Sequence, residues 1–317
     1  MTALTRRGFA WCTFALHSLV VIRSYALLFF LLRFCWVLLS LLPSTAAAQL
    51  IVGNIVNRTT QQPIPFVNVG LPKRGLGTVS DEQGRYQLRY NPAYAADSVR
   101  VSSVGYEPRM MPFAALLAGA DVGLAPLTVS LTDVNVVAAS VYSRTHTLGL
   151  DKPRPLFNFG LMSNGLGTEI GTLIQVERRP SLVQSLHVVV AKNETAPLTL
   201  RVNVYRLDSQ GQPTTEKLLQ RDVLLTTGPR KGVLTADLTA DRLVLTEDCL
   251  LAVELVKSSG PGTPDVSKLY FGGALGYGGQ CYARLASQGA WIKPTVKSNV
   301  PLLGKKLQVA FYLTVKD

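Results

Sequence analysis

The chain has 317 residues, 47% of them hydrophobic and 16% charged, which excludes an intrinsically disordered protein because the apolar surface suffices to offset ordering entropy. Its 32 Lys and Arg outnumber 20 Asp and Glu, yet four of the basic residues (Arg6, Arg7, Arg23, Arg33) precede residue 49 in a stretch without acids, leaving 28 against 20 beyond it. Those 28 are scattered in pairs such as Lys73-Arg74, Arg178-Arg179, Arg230-Lys231 and Lys305-Lys306, not gathered into the basic, aromatic-interleaved stripe of a nucleic-acid binder, so no nucleic-acid partner is expected.

Residues 1–48 read as an export signal. Basic residues precede an apolar core, Phe34–Leu42, followed by Pro43 and the small residues Ser44 to Ala48. Ala46 and Ala48 fit the A-x-A preference, with cleavage expected before Gln49. A membrane anchor is the rival, but Arg33 interrupts the apolar run, and a central Arg opposes insertion by roughly 2.5–3.5 kcal/mol. No membrane span is expected after cleavage. The expected location is the periplasm, the outer membrane or the extracellular space.

From Leu50 onward, short apolar or alternating runs between Gly, Pro, Asn and Asp recur about every 8–12 residues, the pattern of sandwiches or barrels. The fold class is therefore all-β, as two sandwiches: residues 49–131, a linker over 132–150, and residues 151–317. In the first block, strands are expected over Leu50–Val56, Ile64–Leu71, Arg85–Tyr90, Ser98–Ser103 and Leu127–Leu131, with a brief helix over Pro112–Leu117. Tyr86, Leu88 and Tyr90 share one strand face; Arg85, Gln87 and Arg89 share the wet one. Asp81 to Gly84 has Asp first and Gly fourth, as a turn requires.

The second block is expected to form Ile170–Val176, Ser185–Val190, Thr199–Tyr205, Arg221–Leu225, Val233–Leu238, Cys249–Val256, Lys268–Gly272, Cys281–Ala286 and Leu307–Val315. That strand density suggests a jelly roll. Leu200, Val202 and Val204 lie on one face, Arg201, Asn203 and Tyr205 on the other.

The order of Val52-Gly53-Asn54-Ile55-Val56, Gln62-Pro63-Ile64-Pro65-Phe66-Val67-Asn68-Val69, Gly77 to Leu88, and Ser103-Val104-Gly105-Tyr106-Glu107 resembles the carboxypeptidase-regulatory-like domain. The resemblance covers residues 49–131. It implies a transthyretin-like β-sandwich of secreted and envelope proteins of bacteria, not known for catalysis. The same module begins many TonB-dependent outer-membrane receptors, where a plug and a long barrel follow; residues 132–317 are too few for such a barrel. The second block loosely resembles galactose-binding-like and carbohydrate-binding sandwiches.

Chemistry is sparse. A catalytic zinc would need a His and Glu close together and a distant His. Beyond residue 48 only His146 and His187 remain, expected in the linker and on a polar strand face. No G-x-S-x-G nucleophile elbow occurs. Gly165 to Gly171 and Gly272 to Gly279 match neither dinucleotide nor P-loop spacing. No catalytic residue, metal or cofactor is therefore expected. Asp237, Asp241, Glu247 and Asp248 offer oxygens for calcium, in no loop of known spacing. Cys249 and Cys281 either pair in an oxidising compartment or stay as two buried thiols.

Tyr277, Tyr282, Arg284, Gln288 and Trp291 cluster around Gly-rich segments, with Glu254 and Asp248 on a neighbouring strand. Aromatics stack on sugar rings while polar groups read hydroxyls, so this cluster is the candidate glycan site; ordinary packing is the alternative. The expected function is an exported, non-enzymatic binding or adaptor protein at the cell envelope, with an unidentified glycan, peptide or protein partner. The alternative is a hydrolase, or an accessory subunit of a carboxypeptidase-type peptidase.

Overall fold

The computed structural model describes residue 33 and residues 49–127, 142–154, 157–177, 180–194, 197–259, 266–276, 279–294 and 305–317. The expected export signal lies outside the described residues apart from Arg33, as do Tyr277 and most of the expected linker. No helix among the described residues is long and apolar enough to cross a membrane. Residues 48–317 form one compact unit, and its elements are nearly all strands, arranged as sandwich domains.

The N-terminal sandwich runs through β1 (Gln49–Asn57), β2 (Asn68–Leu71), β3 (Leu76–Val79), β4 (Arg85–Tyr90), β5 (Ser98–Ser102), β6 (Arg109–Pro112), α1 (Phe113–Ala118) and β7 (Val122–Leu124). One sheet has the order β4-β1-β7, the other β3-β2-β5-β6. Alternation dictates the faces: Ile51, Ile55, Val69, Leu71, Tyr86, Leu88, Val99 and Val101 point into one core, sealed by Phe113 and Leu116. The turn at Asp81 forms as its composition demands. Asp81 Oδ1 accepts from the amides of Gln83 (2.9 Å) and Arg85 (2.8 Å), and Gly84 takes φ +73°, which favours glycine.

Three expectations for this block change. The run from Ile64 is strand only from Asn68, because Phe66 adopts φ +52°. The closing strand is Val122–Leu124, parallel to β1, whereas Leu127 lies outside any strand and 128–131 lie outside the described residues. The strands Leu76–Val79 and Arg109–Pro112 were not expected. Both are hairpin partners too short to show alternation.

The C-terminal sandwich begins inside the stretch expected as linker. Thr145–Gly149 is β8, paired with β21 (Phe311–Lys316). Between them come β9 (Asn158–Phe159), β10 (Glu169–Ile174), β11 (Ser181–Asn193), β12 (Leu198–Leu207), β13 (Pro213–Lys217), β14 (Val223–Thr226), β15 (Gly232–Asp237), β16 (Val244–Leu245), β17 (Cys249–Ser258), β18 (Leu269–Gly276), β19 (Cys281–Arg284) and β20 (Lys306–Val309). One sheet has the order β13-β12-β17-β10-β19, the other β20-β18-β11-β21-β8. Leu200, Val202, Val204, Leu251, Val253 and Leu255 from the first meet Val183, Leu186, Val188, Phe311 and Leu313 from the second. The single strand expected over Leu307–Val315 is two. The chain turns at Ala310, so that β20 pairs with β18 and β21 with β11.

Candidate functional site

The site grows from one sheet register. Arg201 on β12 stands opposite Glu254 on β17, Glu254 opposite Glu169 on β10, and Glu169 opposite Arg284 on β19. Four charges therefore lie in one row across four strands, in the order plus, minus, minus, plus. All four are buried. They occupy the face turned away from the sandwich core; the N-terminal sandwich covers the Arg201–Glu254 end and Trp291 the Arg284 end.

Opposite charges on adjacent strands attract, and the two central carboxylates repel; the bonding pattern answers both. Glu254 Oε2 accepts from Arg201 Nε (3.0 Å) and Nη2 (2.8 Å) and from Asn203 Nδ2 (2.9 Å). Glu169 accepts from Tyr205 Oη (2.9 Å) and Arg284 Nη1 (3.1 Å). Burial pushes the Glu254 carboxyl up, but the Arg201 and Lys217 charges and the bonds from Asn203 and Arg201 outweigh it and hold it down to about 2. Burial dominates at Glu169 and raises it, against the opposing charge of Arg284 and with the repulsion of Glu254. Burial also pushes the Tyr205 hydroxyl well above its usual range, and the charge of Glu169 adds to it.

The N-terminal sandwich supplies the remaining partners. Asn68, outward-facing on β2, donates to Glu254 Oε1 and to Ser287 Oγ (2.9 Å) and accepts from Arg201 Nη2. Arg201 Nη1 donates to the Phe66 carbonyl at 2.6 Å. The left-handed backbone at Phe66, of a kind that costs about 1–3 kcal/mol, is what aims that carbonyl. Apolar contact among Phe66, Val79 and Val256 extends the junction, and Lys257 reaches Glu82 at its edge (2.8 Å).

A wedge, Ser287 and Gln288, fills the rest. Gly70 and Gly77 are cross-strand partners, and a Cβ on either would lie 2.2 or 2.3 Å from the Ser287 carbonyl oxygen. The two glycines clear a patch of sheet against which that backbone lies. Gln288 donates to Ser102 Oγ (3.0 Å) and accepts from Arg100.

The expected cluster is thus partly assembled, but not as an open platform. Tyr282, Arg284 and Gln288 are buried and Trp291 half-buried; Tyr277 is outside the described residues. Tyr282 donates to the Gly211 carbonyl (3.2 Å) and Trp291 to that of Thr214 (3.4 Å). The Arg284 guanidinium lies 4.1 Å from the Trp291 ring centre and 5.5 Å from that of Tyr205. Glu254 joins this cluster; Asp248 instead accepts from the Val176 amide (3.0 Å). Cys249 and Cys281 are free thiols on β17 and β19, with β10 between them, so the disulfide alternative is not formed. Burial pushes both to about 12.

Of the carboxylates considered for calcium, Asp237 bonds Thr239, Asp241 pairs with Arg221, and Glu247 lies 3.7 Å from Arg206. Among the described residues no group of three or more His, Cys, Asp or Glu side chains could hold a metal ion. His146 is in strand β8, not linker, with Nδ1 3.5 Å from Asp317 Oδ1. His187 stands on the polar outer face of β11, stacked on Tyr312 (4.3 Å). Its Nε2 lies 2.9 Å from Ser185 Oγ and its Nδ1 3.0 Å from Thr235 Oγ1. Burial lowers His187 below the ordinary histidine value.

Lys217 gives a pH test of the junction. Its ammonium lies 3.9 Å from Glu254, and burial pushes it down to about 8, helped by Arg201 and opposed by Glu254. A base whose folded value lies below its unfolded one penalises the fold at low pH, and the penalty lifts as pH rises through the folded value toward the unfolded one. Wild type should therefore gain about 1–3 kcal/mol over Lys217→Met between pH 7.5 and 9.5 in denaturant titrations. A constant difference would contradict the burial of this amine.

A family model described as CarboxypepD_reg-like domain matches residues 51–121, which are β1 to the approach of β7. The N-terminal sandwich is a CarboxypepD_reg-like domain. The chain is also 38% identical over 69 residues to the TonB-dependent receptor SusC of Bacteroides thetaiotaomicron, a match covering 22% of this chain and 7% of that receptor. Among solved structures, that of infectious bursal disease virus Gx strain overlaps 87% of this chain and 58% of its own at 12% identity, with a TM-score of 0.30. A T=1 particle derived from the same virus overlaps 84% and 61% at 12% identity, with a TM-score of 0.27. Similarity this low carries no inference. The matched region holds Phe66, Asn68, Gly70, Gly77 and Arg100, so the CarboxypepD_reg-like domain supplies its half of the junction.

Proposed function

We propose that the chain is an exported, non-enzymatic adaptor of the bacterial cell envelope, in which the CarboxypepD_reg-like domain and the second sandwich act as one body. Its loops and free sheet faces would engage a glycan, a peptide or an envelope protein. The observation carrying this reading is the buried charge row. The second sandwich spends its most polar face on holding the first, so the Arg and Glu residues that would attract notice as reactive groups serve the joint. The SusC relative and the signal-like pattern of residues 1–48 support the envelope context. Cell fractionation with mass spectrometry of the N-terminus tests it: a chain beginning at Gln49 in the envelope fraction is expected, and a cytosolic chain retaining residues 1–48 would end the proposal.

The pair Ser185 and His187 favours a second reading, hydrolysis. A neutral imidazole 2.9 Å from a hydroxyl is the start of a nucleophile–base pair. The other ring nitrogen, however, meets Thr235 and not the carboxylate that orients such a base. A fluorophosphonate probe decides between the two: labelling of Ser185 that disappears in His187→Ala would favour the hydrolase, and an unlabelled protein the adaptor.

A further inference from the structure

We propose that the junction between the two sandwiches, at Arg100, Arg284, Gln288 and Trp291, binds a carboxylate. Two independent observations carry this. The first is charge. Arg201 is matched by Glu254 and Asp222, and Arg284 has one bond to Glu169. Arg100, half-buried on β5, donates to the neutral amide oxygen of Gln288, and no ion pair joins it to a carboxylate among the described residues. Arg100 thus adds a positive charge beside Arg284 without a carboxylate of its own among the described residues. Burial and the like charge of Arg284 both lower Arg100, against the pull of the Tyr205 hydroxyl.

The second observation is a donor without an acceptor. Arg284 Nε is buried and has no hydrogen-bond partner, although a buried N–H left unmade is costly. Trp291 and Tyr205, whose ring centres lie 5.4 Å apart, crowd one side of the guanidinium and leave Nε without an acceptor. A group that approaches edge-on and accepts in the plane is a carboxylate, the natural mate of the guanidinium fork. The Trp291 ring covers the Arg284 guanidinium. Gln288 is held at φ +63°, so the segment carrying both is one whose strain opening would relieve. The carboxylate comes either from a small free acid or from acidic side chains of a protein partner. The site is independent of the adaptor reading.

Trp291 reports directly, because the other tryptophans, Trp11 and Trp36, lie before residue 48 and residues 48–317 form a compact unit of their own. That unit is titrated with sodium acetate against sodium chloride at equal ionic strength, with inorganic phosphate and a blocked triaspartate peptide as further arms, reading Trp291 emission and the melting temperature. Acetate should shift the emission and raise the melting temperature, with binding at least tenfold weaker in Arg100→Gln and restored in part in Arg100→Lys. Tighter binding of the peptide than of acetate assigns the carboxylate to a protein partner; the reverse assigns it to a free acid. Equal responses to phosphate and acetate, or responses no different from chloride, would overturn the proposal, as would full binding by Arg100→Gln. Arg100 lies at the rim, and the melting temperature of each variant without ligand separates lost binding from lost folding.

Discussion

Replacing Arg201 with leucine should destabilise the folded chain by about 3–5 kcal/mol, because it leaves a wholly buried carboxylate without its cation. Glu254 would keep Asn203 and Asn68 as donors, with Lys217 at 3.9 Å, which cannot replace two guanidinium N–H groups on one oxygen at 2.8–3.0 Å. Its carboxyl, now held low, would rise and take up a proton more readily, so the deficit should be larger at pH 7 than at pH 4. Arg201→Leu/Glu254→Leu should recover much of the loss, since a matched apolar pair replaces a buried ion pair at little net cost. Denaturant titration of the three proteins at both pH values checks this. A single-mutant loss below about 1 kcal/mol, or a double mutant worse than either single, would contradict the ladder.

Gly70→Val acts on the same junction through shape. A Cβ at this position would sit 2.2 Å from the Ser287 carbonyl oxygen, a backbone atom that no rotamer change can move. The side chain would point away from the N-terminal core, which Val69 and Leu71 fill. That sandwich should therefore keep its own fold while losing its seat, at an overall cost of about 1–3 kcal/mol or more. Calorimetry should turn one transition into two, and Trp291 emission should shift toward that of an exposed indole. A single transition at the wild-type temperature would mean that the wedge yields freely.

Much of the fold is legible in the chain because half-buried strands advertise themselves. Tyr86, Leu88 and Tyr90 alternate with Arg85, Gln87 and Arg89, and the structure buries Tyr86 and Leu88 and exposes the polar set. The Asp81 turn and the brief helix after Pro112 follow from residue type alone. What fails is what alternation cannot encode. Arg201, Asn203 and Tyr205 have the look of a solvent face, and the other sandwich over Arg201, with Trp291 over Tyr205, turns that face into an interior. A signal did exist: Cys249 to Val256 is apolar at every position except Glu254, the mark of a strand covered on both sides, and an isolated acid there demands a buried cation. The aromatic and arginine residues from Tyr282 to Trp291 do gather, but their neighbours on β12 and β5 lie far away in sequence, so nothing local distinguishes a sealed joint from an open platform.

The joint also fixes an order of events. The N-terminal module draws its core from residues 51–124, whereas Asn68 meets Arg201 133 positions later and Ser287 219 positions later. Contacts over such separations close more slowly than those within residues 51–124, so the module can be complete before its seat exists. Until then Asn68 and the bare glycine pair stay hydrated, beside the apolar side chains of Phe66 and Val79 that later meet Val256. Closure of the seam is the last event in the maturation of the chain.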